Sequence, residues 1–588
     1  MVRVLPEGGG LRVSTGCYNL SFLPDRPFAV LADGEGDEWA TLCLAWSLHT
    51  LHGLDDTTGL GPPVAKESSG GVRVTMTARS SVWERKELIV DCREESVRFR
   101  LAVAGRGLLT DAHLFGGYCS AGLRWGSGFL RSGAAFRSVF NPEPDTAERR
   151  AVSAVESAVL DAQGTSLPGR GHWFFTPAPF CYGLGRKPAP MDGSLPEGPW
   201  LMLGLDTPPG EHHYTAFHYD GGGGAFSLRL AYEGQTAVDG AFTTPSTIFL
   251  FGAPDPYAGL AAYVAALRGP GTARTAPRQV PDWWRRPIFC GWGAQCALAA
   301  RQGGRAVDYC RREHYDGFLA SLSARGLSPG TVVLDDKWQR RYALPDADPD
   351  KWPDLAAWIA ARHAEGQRVL LWWKAWDPEG LPAELCVRNA AGLPVAADPT
   401  HPGYEEILRA CVRRMLGADG YDADGLKVDF TARTPSGPGL RRHGREWGVE
   451  LLHRLLRLLY DEAKRVKPDA LVITHAANPY FADVSDMVRL NDINTGAPVV
   501  RQMIHRARVA RAACPGALID TDNWPMPGLA AWRQYLELQP RLGVPSLYYA
   551  TGLDGAGEQF GEEDYAALRR AWAGREGGDG DFESMNRT

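Results

Sequence analysis

From about residue 285 onward, short apolar runs of strand type alternate with helical stretches, and this alternation limits the possible folds more than any other feature of the chain. Eight such runs occur, at 287–293, 331–336, 368–376, 425–430, 470–476, 487–492, 517–522 and 544–551. Helical patterns at 355–365, 404–416, 447–465, 500–513 and 530–542 lie among the connections, while 478–486, between the fifth and sixth runs, is too short for a full crossover helix. Eight parallel strands with intervening helices over about 290 residues predict a (β/α)8 barrel of the TIM type. A doubly wound open sheet is the alternative, but no glycine-rich phosphate loop follows the first run.

The earlier part of the chain has a different period. Runs such as 96–103, 227–232 and 247–251 alternate apolar and polar side chains and are broken by glycine and proline, the pattern of antiparallel strands with one wet face. The first amphipathic helix comes only at 256–267. The expected organisation is multi-domain: an N-terminal antiparallel β-sandwich over 1–267, a linker rich in Pro, Gly, Thr and Arg over 268–284, the barrel over 285–575, and a disordered tail over 576–588. Too few residues follow the eighth run to make a full C-terminal β-domain.

At 588 residues the chain exceeds one ordinary core, and 44% hydrophobic with 22% charged residues reads as globular. No apolar run reaches the roughly 18 residues of a membrane span, and a net charge of −6 without a Lys/Arg block excludes an evident nucleic-acid or membrane partner. The amino terminus lacks a signal-peptide core, and the eleven cysteines show no C-x-x-C pair, so a reduced, cytoplasmic protein is expected. Homo-oligomerisation stays open.

Chemistry gathers at the ends of the eight runs, where barrels carry their catalytic groups. In Gly425-Leu426-Lys427-Val428-Asp429-Phe430, alternation puts Lys427 and Asp429 on one face, and a cation beside a carboxylate lowers its pKa as a nucleophile requires. A buried structural ion pair is the other reading of the same residues. Asp335, Asp336 and Trp338 end the second run, Trp372 and Lys374 the third, His475 the fifth, Arg489 and Asp492 the sixth, and Asp520 and Asp522 the seventh, beside Trp524. Paired carboxylates bordered by tryptophans suit glycoside cleavage, with one acid ionised and another protonated, and spare carboxylates, a lysine and aromatic faces to hold a sugar. The expected partner is a small α-linked carbohydrate.

These motifs resemble the family 36 glycoside hydrolases, in the clan of retaining α-glycosidases that also holds families 27 and 31. Leu334-Asp335-Asp336-Lys337-Trp338 is similar to that family's D-D-G-W signature with lysine for glycine, and Leu426-Lys427-Val428-Asp429 to its K-x-D strand. His475 and Val488-Arg489-Leu490-Asn491-Asp492 resemble the histidine and the V-R-x-S-D of the raffinose-synthase-like branch. Phe289-Cys290-Gly291-Trp292-Gly293-Ala294 resembles the first strand of that branch only loosely and lacks its aspartate. The resemblance implies an α-galactosidase-like retaining hydrolase with Asp429 as nucleophile, Asp492 as general acid/base, and Asp335, Asp336, Lys427 and Arg489 on sugar hydroxyls. It implies equally a transglycosylase using the same residues. A retaining pair stands about 5–5.5 Å apart; a wider gap would pass the acid's role to Asp486 or Asp483. A metal-dependent barrel hydrolase and a non-catalytic carbohydrate-binding relative are the readings from other classes. No H-x-H or H-E-x-x-H pair occurs, and neither a metal nor a cofactor is expected.

Overall fold

The structure, a computed structural model, describes residues 2–7, 10–24, 26–121, 127–143, 151–161, 177–191, 194–268, 280–555 and 557–573. Most of the expected linker and the expected tail lie outside the described residues. The described residues up to Arg268, together with Thr434–Leu452, form one compact unit; 280–433 and the residues from His453 onward form a second. Thr434–Leu452 falls inside the stretch read from the sequence as barrel. No helix among the described residues is long and apolar enough to cross a membrane.

The first unit is β-rich. Its strands hydrogen-bond into one 21-stranded network, antiparallel apart from the short pairing of Tyr118 and Cys119 with Asp56 and Thr57. Two 19-residue strands, Ser96–Leu114 and Ala225–Thr243, pair along most of their length. Alternation does what the sequence period requires: Val97, Phe99, Leu101 and Val103 are buried, while Arg98 and Arg100 point to the wetter face. Helix Pro256–Arg268 is the first helix among the described residues and packs on strands Trp200–Asp206 and Ser246–Ala253.

The second unit holds eight parallel strands, first to eighth in chain order: Ile288–Cys290, Thr331–Leu334, Arg368–Lys374, Gly425–Asp429, Leu471–Thr474, Met487–Arg489, Leu518–Asp520 and Ser546–Leu547. Each pairs with the next up to the seventh, the eighth pairs with the first, and a parallel bridge from Asp520 to Val544 joins the seventh strand to the approach to the eighth. The core is therefore barrel-like, and its strands stand at the places the apolar runs mark. Helices Trp292–Gln302, Arg312–Ser323, Leu355–Ala364, Pro402–Leu416, Gly448–Val466, Val499–Ala513 and Leu529–Leu542 occupy the connections, with Glu562–Ala573 after the eighth strand. Between the fifth and sixth strands there is only the single turn Pro479–Phe481.

The strands are shorter than the apolar runs, and at the carboxyl ends of four of them the chain turns sharply. Trp376 (φ 70°), Phe430 (φ 60°), Asn491 (φ 65°) and Asp522 (φ 42°) are left-handed non-glycine residues just past the third, fourth, sixth and seventh strands. Such conformations cost about 1–3 kcal/mol each and persist only where surrounding packing imposes them. Phe430 thus leaves the alternation expected of it, and the acids after these strands sit on tightly held turns.

Gly425 opens the fourth strand where the backbone of the fifth comes closest: a Cβ there would lie 2.0 Å from the Leu471 carbonyl oxygen. Gly425→Ala is expected to destabilise the barrel by about 3 kcal/mol, the upper range for overpacking. Gly317→Ala, in a helix position with nothing within 4 Å, is expected to stabilise by up to about 1 kcal/mol. Urea unfolding midpoints of the two variants against the parent check both signs.

Candidate active site

Lys427 and Asp429 both belong to the fourth strand but do not pair with each other. Lys427 Nζ reaches Asp335 Oδ2 at 2.6 Å, past the end of the second strand, and donates to Cys290 Sγ at 3.4 Å from the first. Cys290 in turn donates to Asp335 Oδ2 at 3.0 Å, and Asp335 Oδ1 accepts from the Asp336 N–H at 2.8 Å. This buried network ties three strands together, and it corrects the expectation that Lys427 is the direct partner of Asp429. Both side chains of the Lys427–Asp335 pair are buried.

The partner of Asp429 is Arg489, at the end of the sixth strand. Its Nη2 donates to Asp429 Oδ1 at 3.0 Å, and its Nη1 donates to Asp492 Oδ1 at 3.0 Å and Asp522 Oδ2 at 2.6 Å. Asp429 Oδ1 also accepts from the Phe430 N–H at 2.9 Å, and Oδ2 from the Trp372 indole N–H at 3.0 Å. Burial alone would raise the pKa of Asp429, but the charge of Arg489, followed by that of Lys427, holds it well below the usual carboxylate range. Asp492 goes the other way: burial, with the charges of Asp522 and Asp429, pushes it to about 6 despite Arg489. One guanidinium therefore touches an ionised carboxylate and a carboxyl group poised to hold a proton. Both remain reachable, with side chains 21% and 35% exposed.

A second polar group lines the mouth after the second and third strands. Asp336 Oδ1 accepts from the Tyr342 hydroxyl at 2.9 Å, and burial, then the charge of Asp335, pushes the Asp336 carboxyl to about 7. Lys374 pairs with Asp377 at 2.7 Å and Lys337 with Glu379 at 2.6 Å, and both ammonium groups lie against the Tyr342 ring, at 3.8 and 4.0 Å from its centroid. Tyr342 carried no signal in the sequence, because it sits in an aperiodic loop.

Several expected sugar contacts lie elsewhere. Trp338 is 0% exposed and donates its indole N–H to the Trp372 carbonyl at 2.8 Å, so it is core and offers no stacking face. Trp372 is buried between Tyr342 and Phe430 and acts by holding Asp429. Asp522 is fully buried against Arg489, and Asp520 accepts from Ser546 Oγ. His475 is buried and bonds Thr431 through Nε2 at 2.6 Å; burial, then the charge of Arg489, drives its pKa down to about 3, so the ring beside Asp429 is neutral. Asp486 accepts from the Val472 N–H at 2.9 Å and pairs with Lys464 at 2.7 Å, and Asp483 pairs with Arg457. These last two are tied into the framework by those contacts. Among the described residues, no group of three or more His, Cys, Asp or Glu side chains is placed to hold a metal ion.

No protein-family model matches the chain. No curated protein matches it in sequence. Solved structures do match in fold. A GH31 family sulfoquinovosidase from E. rectale, in complex with an aza-sugar inhibitor, aligns with a TM-score of 0.59 at 10% identity over 97% of this chain and 82% of its own. The α-galactosidase from Lactobacillus brevis aligns with a TM-score of 0.52 at 12% identity over 96% of this chain and 83% of its own. The α-galactosidase from Thermus thermophilus, in complex with stachyose, aligns with a TM-score of 0.50 at 16% identity over 87% and 99%. The chain shares its fold with these GH31 and α-galactosidase structures.

Replacing Arg489 by methionine would leave Asp429 and Asp522 as neighbouring carboxylates without their cation. The expected cost is about 3–5 kcal/mol, as for other buried ion pairs broken on one side. Chemical denaturation measures it, and the pKa of Asp429, followed by carboxyl-carbon NMR, should rise in the same variant.

Proposed function

We propose that the protein is a retaining α-glycosidase in which Asp429 is the nucleophile and Asp492 the general acid/base. The observation that carries the reading is the shared guanidinium of Arg489, with one carboxylate held ionised and its neighbour pushed up to about 6. In the first half-reaction Asp429 bonds to the anomeric carbon as the glycosidic C–O bond breaks, and the leaving oxygen takes the proton of Asp492. In the second, Asp492 removes a proton from water or a sugar hydroxyl, and the attacking oxygen displaces Asp429. Asp336, its carboxyl pushed up to about 7 by burial and the charge of Asp335, can donate to or accept from a sugar hydroxyl beside Tyr342 and Lys374. Lys427 and Asp335 act beneath, fixing the fourth strand.

A β-rich first unit and a barrel-like second unit fit this reading, in which they are the N-terminal β-sandwich and (β/α)8 barrel of the family 36 resemblance, and the fold shared with GH31 and α-galactosidase structures supports membership of the same clan. An α-galactoside is the proposed substrate, on the D-D-x-W and K-x-D motifs together with the two α-galactosidase structures of like fold. A transglycosylase uses the same first half-reaction and differs only in the acceptor.

A panel of aryl α-glycosides differing in sugar, with the anomer of the first-formed product followed by NMR, tests the class; retention is expected and inversion would refute it. The pH profile tests the roles. The free enzyme must have Asp429 ionised and Asp492 protonated, so kcat/KM should fall as the pH rises through about 6, while the acid limb lies below the ordinary carboxylate range. Asp492→Asn should remove the alkaline limb and slow substrates with poor leaving groups by about 10²–10⁴-fold.

A further inference from the structure

The carboxylates account for bond cleavage but not for what the departing group rests on. Two tryptophans outside the catalytic set stand on that side of the mouth. Trp292 opens the helix after the first strand and Trp524 lies just past the seventh; both are partly exposed, and their rings meet edge to face with centroids 5.7 Å apart at 77°. The elements that carry them are tied to the eighth strand: Tyr548 N–H donates to Asn523 Oδ1 at 2.9 Å, and Ala294 N–H donates to the Tyr548 carbonyl at 2.7 Å.

Trp524 is fixed at three points. Its backbone N–H donates to Asp522 Oδ1 at 2.9 Å, its indole N–H donates to Asp554 Oδ2 at 2.9 Å, and its carbonyl accepts from the Ile493 N–H at 2.9 Å. The last bond ties the backbone of Trp524 to that of the residue directly after Asp492. Asp554 is held in turn by the Tyr549 hydroxyl at 3.0 Å. With its only polar atom already used, Trp524 can meet a ligand only through its ring, and such faces suit the C–H face of a pyranose. The polar groups Asp336, Tyr342 and Lys374 belong to the second and third strands, across the ring from the sixth and seventh. The mouth is therefore divided into a hydrogen-bonding wall and an aromatic wall, with the acid on the aromatic side.

A general acid protonates the leaving oxygen, so the leaving group departs on the acid's side. We propose that Trp292 and Trp524 form the leaving-group subsite, a platform for the pyranose ring of a sugar aglycone, and that the same platform receives a sugar acceptor in the second half-reaction. The inference rests on the retaining α-glycosidase reading and names which part of the mouth selects the substrate's second ring.

The test compares two substrates of the sugar the parent protein turns over fastest: an α-linked disaccharide and the α-glycosyl fluoride, whose leaving group has no ring. Trp524→Ala should lower the ratio of kcat/KM for disaccharide to that for fluoride by about tenfold, the size of one aromatic contact, and Trp524→Phe, which keeps a ring but not the indole N–H, should restore most of it. Trp292→Leu should lower the ratio in the same direction. An unchanged ratio in both Trp524→Ala and Trp292→Leu would overturn the proposal, as would a loss confined to aryl aglycones with disaccharides spared. A parent protein inactive on every α-glycosyl fluoride would instead refute the glycosidase reading, so the two failures are distinguishable.

Discussion

One buried guanidinium organises the mouth of the barrel. Arg489 contacts Asp429, Asp492 and Asp522, which arrive from the ends of the fourth, sixth and seventh strands. Three carboxylates share this one cation: Arg489, followed by Lys427, holds Asp429 down, while burial and the charges of Asp522 and Asp429 push Asp492 up. The asymmetry that the proposed acid/base roles need thus follows from burial together with the charges around Arg489.

Beneath that layer lies a second, buried one. Lys427, Asp335 and Cys290 lock the fourth, second and first strands together, and Trp338 and Trp372 fill the space between the second and third strands while the Trp372 N–H orients Asp429. The left-handed residues Phe430, Asn491 and Asp522 turn the chain just past the fourth, sixth and seventh strands. Such turns persist only where surrounding packing imposes them, and they place the carboxylates at or just past the strand ends.

Much of this was legible in the sequence, and what was not has a definite physical reason. The eight strands and the helices between them were readable because period and length survive in one dimension, and the acids at the strand ends were readable because barrels place reactive groups there. The pairing of Lys427 was not: alternation puts Lys427 and Asp429 on the same face but says nothing of Asp335, 92 residues away, which takes the ammonium. Burial of Trp338 was equally hidden, since an indole that fills a core and one that receives a sugar look alike in a motif. Tyr342, in a loop without period, and the Trp292–Trp524 contact, between residues far apart in the chain, emerge only when the strands close. Thr434–Leu452 groups with the first unit although it follows the fourth strand directly, which no local pattern announces.

The central claim is that Asp429 bonds to sugar carbon during turnover. The most direct measurement is to inactivate the protein with a fluorinated α-glycosyl fluoride that stalls the second half-reaction, digest it, and find the labelled peptide by mass spectrometry. The account predicts one sugar per chain, on the peptide containing Gly425-Leu426-Lys427-Val428-Asp429, and no label in Asp429→Asn. A label on a different carboxylate, or turnover of the parent protein through an inverted product with no label at all, would contradict it.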